Sequence, residues 1–206
     1  MSNNETGRKI IAALNVSVDG FIEGPNGEMD WVMMEDDETW RDLFEMLTHV
    51  DTFILGRVMY PCYEQYWLAV LADPDAILPL SGRVASKNEI AFAHLADSRQ
   101  HLVLSRTLDK VAWKTTRVVR DVDEIRKMKQ QPGKDMYAVG GAMLVSSLMN
   151  LGLVDEVKLL VNPLILGGGK ALFKDVKDRH ALKLIQAKPF KSGRVSLTYV
   201  MQPEKM

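Results

Sequence analysis

Short apolar blocks alternate with longer amphipathic segments along this chain, and the alternation predicts an α/β fold. Brief apolar runs bounded by glycine, proline or charged residues are typical of buried strands. These predicted strands are Lys9–Val18, Asp51–Leu55, His101–Leu104, Val118–Val119, Met136–Val139 and Val154–Val161. Apolar residues three or four positions apart predict helices between most of the strands. These helices are Glu35–His49, Met59–Trp67, Leu80–Leu95, Asp121–Gln131 and one that follows Gly141 and ends at Gly152.

The order of these segments predicts how the sheet is built. Strands that alternate with helices are joined by crossover connections, so most strands are expected to be parallel. Two alternating runs at the end, Leu182–Ala187 and Arg194–Met201, predict an antiparallel hairpin at one edge of the sheet. We therefore predict a single three-layer domain over residues 1–206, with an ordered core of about 8–201 and a mostly parallel sheet flanked by helices.

The stretch around Gly140-Gly141 is a candidate phosphate-binding turn. It joins a predicted strand to a helix on which Leu144 and Leu148 share one face. Glycines let a ligand approach the backbone closely, and the first helical turn offers N–H groups and a partial positive charge to an anion. A tight turn with no ligand explains the same residues, and this stretch alone does not separate the two interpretations.

Two other predicted strands end beside an arginine. Gly56-Arg57 follows one of them, and Ser105-Arg106 follows the other. Such an arginine can bind a phosphate through two parallel hydrogen bonds, or it can be a solvated surface charge. If the strands are neighbours, their turns lie along one edge of the sheet and could together hold a phosphorylated dinucleotide.

Composition and charge exclude several classes of partner. The 206 residues are 47% hydrophobic, and 26 basic residues against 27 acidic ones give a net charge of −1. This balance provides no basic field to hold nucleic acid or an anionic membrane, and no apolar run reaches the ~18 residues of a membrane span. Cys62 is the single cysteine, which rules out an intrachain disulfide and fits a reducing compartment. We expect a cytoplasmic protein.

No metal site is predicted from the histidines. His49, His94, His101 and His180 show no metal-ligand spacing, and we interpret them as surface or element-end residues. The segment Gly167–Lys170 lacks the serine or threonine that follows the lysine of a phosphate-binding P-loop, so we interpret it as a flexible turn.

Five motifs, in their order along the chain, resemble the dihydrofolate reductase-like superfamily. They are Val18-Asp19-Gly20-Phe21-Ile22, Leu55-Gly56-Arg57, Leu104-Ser105-Arg106-Thr107, Val139-Gly140-Gly141-Ala142 and Pro163-Leu164-Ile165-Leu166-Gly167-Gly168-Gly169. Within the superfamily, the sequence is most similar to the reductase domain at the C-terminal end of bifunctional riboflavin-biosynthesis proteins and to its stand-alone bacterial relatives. The resemblance extends from about Arg8 to Val200.

This resemblance implies a reductase that binds NADPH across the sheet edge. The pyrophosphate would lie on Gly140 and Gly141 and on the backbone N–H groups of Ala142, Met143 and Leu144. These positions agree with the general preference of anions for glycine turns and helix N-termini.

The resemblance also assigns the two ends of the cofactor. Gly56 and Arg57 would face the adenosine end, and Ser105 with Arg106 would hold the 2′-phosphate that distinguishes NADPH from NADH. The last two cofactor residues, Asp19 and Gly20, would border the nicotinamide.

The chain departs from the family pattern at two positions. Relatives commonly carry a threonine, which assists the pyrophosphate, where this chain has Met59. Dihydrofolate reductases use an acid on the first helix to support protonation of the pterin, and ungapped counting from Gly56 places Trp40 there. Folate reduction is therefore disfavoured. The catalytic residue is left open among Asp19, Trp40, Glu38 and Asp42, the last two if the register shifts.

Three functions follow from these expectations. The leading one is an oxidoreductase that transfers hydride from NADPH to a C=N or C=O bond of a small pteridine- or pyrimidine-like substrate, bound between the Asp19 loop and the helix from Glu35. The alternatives are a non-catalytic dinucleotide-binding or regulatory protein and the 5-amino-6-(5-phosphoribosylamino)uracil reductase of riboflavin biosynthesis. Relatives commonly form dimers, so a homodimer is expected, with Leu159–Leu166 as a candidate interface.

Overall fold

The computed structural model describes residues 7–32 and 36–203. Its helices are α1 (Asp37–Leu47), α2 (Tyr60–Ala72), α3 (Lys87–Asp97), α4 (Val122–Lys129) and α5 (Ala142–Asn150). Its strands are β1 (Ile10–Ser17), β2 (Phe21–Glu23), β3 (Val50–Gly56), β4 (Gln100–Leu104), β5 (Thr116–Val119), β6 (Asp135–Val139), β7 (Glu156–Asn162), β8 (Lys170–Ala171), β9 (Leu182–Pro189) and β10 (Val195–Met201).

Eight of these strands form one sheet in the order β5-β4-β3-β6-β1-β7-β10-β9. The six strands from β5 to β7 are parallel to one another, and β10 runs antiparallel to both β7 and β9. The sequence prediction of a mostly parallel sheet that ends in an antiparallel hairpin is thus confirmed. Because the six parallel strands share one direction, the turns at their carboxyl ends lie along a single edge.

The two faces of the sheet carry separate hydrophobic cores, which makes the fold three-layered. Ile10, Ala12 and Leu14 of β1 belong to a core that includes side chains of α4 and α5. The next residue on the strand, Ile11, belongs to the opposite core, with side chains of α1, α2 and α3. This split follows from the strand geometry, in which successive side chains point to opposite faces.

Several helix boundaries differ from the sequence prediction. Helix α3 begins at Lys87, because Ser86 and Glu89 form a reciprocal capping box there, and the predicted first turns from Leu80 are irregular. Helix α1 begins at Asp37 behind the N-cap Asp36, and the predicted first residue, Glu35, lies outside the described residues. Helix α2 continues past the predicted end, Trp67.

A small second sheet ties two of the loops together. Strands β2 and β8 pair antiparallel, so the loop after β1 is held against the glycine loop after β7. Among the described residues, no helix is long and apolar enough to span a membrane.

Candidate functional site

Glycines, arginines and an aspartate follow five adjacent parallel strands at the carboxyl edge of the sheet. In the order of the strands from β5 to β1, the residues at or just past the strand ends are Arg120, Ser105-Arg106, Gly56-Arg57, Gly140-Gly141 and Asp19-Gly20. Adjacent strands are about 4.8 Å apart, so the row extends over roughly 19 Å. The structure therefore brings the predicted cofactor residues into one line, which is the shape of an extended dinucleotide.

The turn between β6 and α5 leaves open space beside an uncapped helix N-terminus. Gly140 and Gly141 have φ values of 57° and 77°, a region that favours glycine. Gly141 is the N-cap of α5 and provides no side-chain hydrogen bond to the first turn. A Cβ atom at Gly141 would meet no atom within 4 Å. The N–H groups of Ala142, Met143 and Leu144 therefore begin the helix next to a space that an anion can enter.

A methionine borders this turn on its other side. Met59 is the N-cap of α2 and gives that helix no side-chain cap. Its thioether packs directly against Gly140. The rest of the side chain packs against the hydrophobic core beneath α2. The position at which relatives carry a hydroxyl is thus apolar in this chain.

The serine and arginines at the adenosine end have different roles in the local structure. The Ser105 hydroxyl is buried and accepts the backbone N–H groups of Thr107 and Leu108 at 3.2 and 2.9 Å, so it fixes the turn after β4. Arg57 and Arg106 are exposed at the sheet edge.

Arg120 belongs to the same group and was missed from the sequence. It follows β5, the strand beside β4, and its Nη1 atom donates to the carbonyl oxygen of Ser105 at 3.0 Å. The available signal was that Val118-Val119, like the predicted strands that end at Leu55 and Leu104, is followed closely by an arginine. The short sequence of β5 did not indicate that this strand lies beside β4.

Asp19 joins the loops at the other end of the row. Its carboxylate accepts the Ser17 hydroxyl at 2.7 Å and the backbone N–H groups of Leu166 and Gly167 at 3.1 and 2.8 Å. The hydrogen bond from Ser17, followed by those from the backbone, lowers the pKa of Asp19. The residue is exposed and ionised, and its contacts hold the loop after β1 against the loop after β7. The following residue, Gly20, has a φ of 87° and open space beside it.

A cleft lies between helix α1 and strands β1 and β7. It comprises two adjoining cavities of about 150 and 110 Å³ that share Asn15, Thr39, Leu43 and Leu160. Trp40 lines the larger cavity and Asp42 the smaller one. The cleft is therefore on the α1 side of β1, the strand whose loop carries Asp19 and Gly20.

Asp42 is the centre of a buried charge cluster in this cleft. Its carboxylate contacts Lys158 Nζ at 2.8 Å and Lys188 Nζ at 3.0 Å, and it accepts the Ser196 hydroxyl at 3.1 Å. Burial acts to raise the pKa of Asp42, but the hydrogen bonds and charges of the two lysines outweigh it and lower the pKa below its usual value. Asp42 is an anion at neutral pH.

Lys158 is a second residue that was missed from the sequence. It lies on β7, paired in register with Ala13 of β1, and its side chain is mostly buried in the cleft wall. The alternation Glu156-Val157-Lys158-Leu159-Leu160 placed this lysine on one face of the strand. It did not indicate that α1 covers that face.

The other two catalytic candidates face different surroundings. Trp40 stacks on Phe44 at a ring-centre distance of 5.8 Å and meets Phe92 in a tilted contact at 6.0 Å, so its ring is an apolar wall of the cleft. Glu38 accepts the backbone N–H of Lys191 at 2.9 Å, in the turn of the β9–β10 hairpin. Of the four candidates, Asp42 is the acid that lines the cleft.

One histidine is more deeply buried than its place in the sequence indicated. His101, interpreted from the sequence as a surface or element-end residue, lies at the start of β4 but is fully buried; its ring centre is 4.5 Å from that of Trp113, and burial lowers its pKa to about 4. The sequence around His101 could not predict this burial, because Trp113, which covers the ring, lies in the loop after β4. In the described part of the chain, no three or more His, Cys, Asp or Glu side chains are grouped to hold a metal ion.

The fold is the one found in dihydrofolate reductase-like proteins. Dihydrofolate reductase from Enterococcus faecalis, solved with NADP(H) and RAB-propyl, superposes with a TM-score of 0.60 at 14% identity over 95% of this chain and 97% of that one. A protein of Shewanella sp. PV-4, proposed to act in riboflavin biosynthesis, gives a TM-score of 0.68 at 19% identity over 95% and 99% of the two chains.

Within this class, the chain belongs to the family of the RibD C-terminal domain, whose model matches residues 8–196. One curated relative is the uncharacterized protein YyaP of Bacillus subtilis. The two sequences are 38% identical over 97% of this chain and 98% of YyaP. The resemblance on which the sequence prediction relied is thus confirmed for the family and for the fold.

Proposed function

We propose that this protein is an NADPH-dependent reductase of a small heterocyclic substrate, pteridine- or pyrimidine-like, with a C=N or C=O bond. The observation that carries the proposal is the row of turns from Arg120 to Gly20 along five adjacent strand ends. Arginines occupy one end of the row, glycines and a helix N-terminus its middle, and a loop beside the cleft its other end. Two comparisons support this proposal: the match to the RibD C-terminal domain family and the shared fold with a dihydrofolate reductase solved with NADP(H).

The chain's own groups fit such a cofactor in charge and in space. Arg106 and Arg120 would bind the 2′-phosphate while Arg57 lies toward the adenosine, because guanidinium groups bind phosphate through paired donors. The open space at Gly141 and the N-terminus of α5 would take the pyrophosphate. When bound, the nicotinamide supplies a hydride; the protein orients the reactants and excludes water.

The cleft beneath α1 is the proposed substrate site. Trp40 provides a flat apolar wall, and Asn15 and Thr39 provide neutral hydrogen-bonding groups. Lys158, held by Asp42, is the proposed proton donor, since a lysine ammonium carries a transferable proton and a carboxylate with a lowered pKa does not. Asp42 then acts as a positioning residue for Lys158.

Cofactor binding is tested by comparing NADPH with NADH. We expect Arg106→Ala and Arg120→Ala each to weaken NADPH binding about tenfold, since a hydrogen bond to a charged group contributes about 1.5–3 kcal/mol. NADH binding should change little, because it lacks the 2′-phosphate. Arg126→Ala, an exposed arginine on α4 away from the row, is the matched control. Fluorescence titration that finds no saturable NADPH binding, or equal losses for both nucleotides, would overturn the proposal.

A non-catalytic dinucleotide-binding protein is the second candidate, favoured by the apolar contact of Met59 with Gly140. NADPH oxidation followed against pteridines, pyrimidines and simple carbonyls separates the two candidates. The reductase should turn over at least one of these classes, whereas a binder should show saturable cofactor affinity and no turnover. Turnover of 5-amino-6-(5-phosphoribosylamino)uracil alone would identify the riboflavin-pathway reductase. We place either activity in the cytoplasm, on the basis of the single cysteine.

A further inference from the structure

Two asparagines meet on the strand side of the cleft, near the carboxyl ends of β1 and β7. Asn15 lines both cavities, and its partner in the sheet register is Leu160. Asn162 follows two residues later on β7 and points to the same face, but it is buried and lines neither cavity. Its Nδ2 atom donates to Oδ1 of Asn15 at 3.2 Å. Asn162 therefore contacts Asn15 from behind the cleft wall.

The surroundings of Asn162 fix which end of its amide faces Asn15. The same Nδ2 atom lies 3.0 and 3.3 Å from the backbone carbonyl oxygens of Leu160 and Val16. Carbonyl oxygens can only accept hydrogen bonds, so the reversed amide would turn its own oxygen against them. The Oδ1 atom of Asn162 is buried and has no hydrogen-bond partner among the described residues, a cost that an apolar residue would avoid. The donors of Asn162 therefore account for an amide at this position.

A donor at Asn162 sets the amide of Asn15 in turn. Asn15 faces it with Oδ1, because the Nδ2 atom of Asn15 would oppose another donor. The remaining polar atom of the half-buried Asn15 side chain, which lines the cleft, is Nδ2. Among the described residues, nothing accepts a hydrogen bond from this atom. The cleft thus contains a neutral donor whose orientation is fixed and whose partner is left to a ligand.

Thr39, on the α1 side of the cleft, has the complementary polarity. Its hydroxyl donates to the carboxylate of Asp36 at 2.7 Å, which leaves only lone pairs for a ligand. Thr39 lines both cavities, as Asn15 does. A ring carbonyl beside a ring N–H matches this donor and acceptor. An amino group beside an unprotonated ring nitrogen mismatches both.

We propose that Asn162 is a positioning residue that holds the Asn15 amide with its donor toward the cleft, so that the cleft selects a ring carbonyl over an amino group. The inference rests on the proposed function, since it takes the cleft as the substrate site. An amino group against Asn15 would place two donors together and leave both without an acceptor. A ligand with the carbonyl should therefore bind at least about tenfold more tightly.

Two pairs of heterocycles test this selection: uracil with cytosine, and pterin with 2,4-diaminopteridine. In each pair, a carbonyl beside N–H is replaced by an amino group beside an unprotonated nitrogen. Calorimetric titration of the full chain, with and without NADPH, should show at least about tenfold tighter binding of the carbonyl member. Asn15→Asp replaces the donor by a charged acceptor of the same shape and should reverse the preference.

Substitution of Asn162 tests its positioning role. Asn162→Leu removes the donor behind Asn15, whose amide can then turn, so the preference should fall to roughly twofold or less while Kd for NADPH is unchanged. Asn162→Ser keeps a hydroxyl for the strand carbonyls but is too short to reach Asn15, and it should behave in the same way. Asn150→Leu is the matched control, because Asn150 of α5 also joins backbone segments, at Asp175 and Lys177, and lies outside the cleft. It should keep the wild-type preference.

Three results would overturn this assignment. Equal or tighter binding of the amino members by the wild-type protein would mean that an acceptor such as Asp42 faces the ring position. The absence of binding by all four compounds would remove the carbonyl site. A preference that survives in both Asn162 variants would show that Asn15 is oriented without Asn162. A retained preference without NADPH oxidation would instead count against the reductase alone, since these titrations require no turnover.

Discussion

The Sδ atom of Met59 lies 2.5 Å from the position that a Cβ atom on Gly140 would occupy. The two residues come from the turns after β3 and β6, which are neighbouring strands. Glycine at 140 is favoured by its positive φ, whereas the flexible end of the Met59 side chain could shift to make room for a Cβ atom. The same contact puts a thioether, a weak hydrogen-bond acceptor with no donor, next to the proposed pyrophosphate site.

Replacing Met59 by threonine should strengthen cofactor binding. The Met59→Thr hydroxyl can donate to a pyrophosphate oxygen, and a hydrogen bond to a charged group is worth about 1.5 kcal/mol or more, so Kd for NADPH should fall about tenfold. Val58→Thr adds a hydroxyl at the adjacent exposed position and should leave Kd unchanged. Calorimetric titration gives both values. Equal affinity in Met59→Thr and wild type would show that this position does not touch the cofactor.

Gly141 should be intolerant of any side chain for a backbone reason alone. Its φ of 77° and ψ of 110° are strained for an L-residue, so Gly141→Ala should lower the free energy of unfolding by about 1–3 kcal/mol although the site is open. Gly56→Ala is the control, since its φ is not positive and its Cβ would meet Leu144 at an ordinary 3.5 Å. Urea denaturation should show a loss below about 1 kcal/mol for this control. Similar losses for both would remove the backbone argument.

The row of turns could be predicted from the sequence because its signals are local. A glycine or arginine directly after an apolar run, as at Gly140 or Arg57, indicates a strand end without knowledge of the neighbours. Contacts between distant residues depend on the order of the strands and on their registers. Local sequence patterns do not encode either of these. Lys158 meets Asp42 through the β1–β7 register and the position of α1, and Arg120 meets Ser105 through the β4–β5 pairing.

Lys158 should be required for turnover and not for cofactor binding. Lys158→Met removes the proposed proton donor, so the turnover number at saturating NADPH should fall about 100-fold on any substrate that wild type reduces. Kd for NADPH should stay constant, because Lys158 lies in the wall of the cleft and not in the row of turns. Lys183→Met, on the exposed edge strand, should retain wild-type turnover. Full activity in Lys158→Met would assign the proton to another group.

His101 should make the protein less stable in acid. Its ring is enclosed by Phe53, Tyr63 and Trp113, and burial lowers its pKa from 6.5 in the unfolded chain to about 4 in the folded protein. The unfolded state therefore binds the proton more readily, so the free energy of unfolding falls as the pH drops from 6.5 and levels off below about 4. A shift of this size corresponds to a loss of about 3 kcal/mol over that range.

The pH dependence identifies His101 when the histidine is replaced. In His101→Phe, which keeps an aromatic ring among the same neighbours, the contribution of His101 to the slope of the free energy of unfolding between pH 6.5 and 4 should disappear. His94→Phe, at an exposed position of α3, removes one histidine without this burial and should keep the wild-type slope. Urea denaturation at a series of pH values measures both. An unchanged slope in His101→Phe would mean that the buried ring is already protonated near pH 6.5, which its burial opposes.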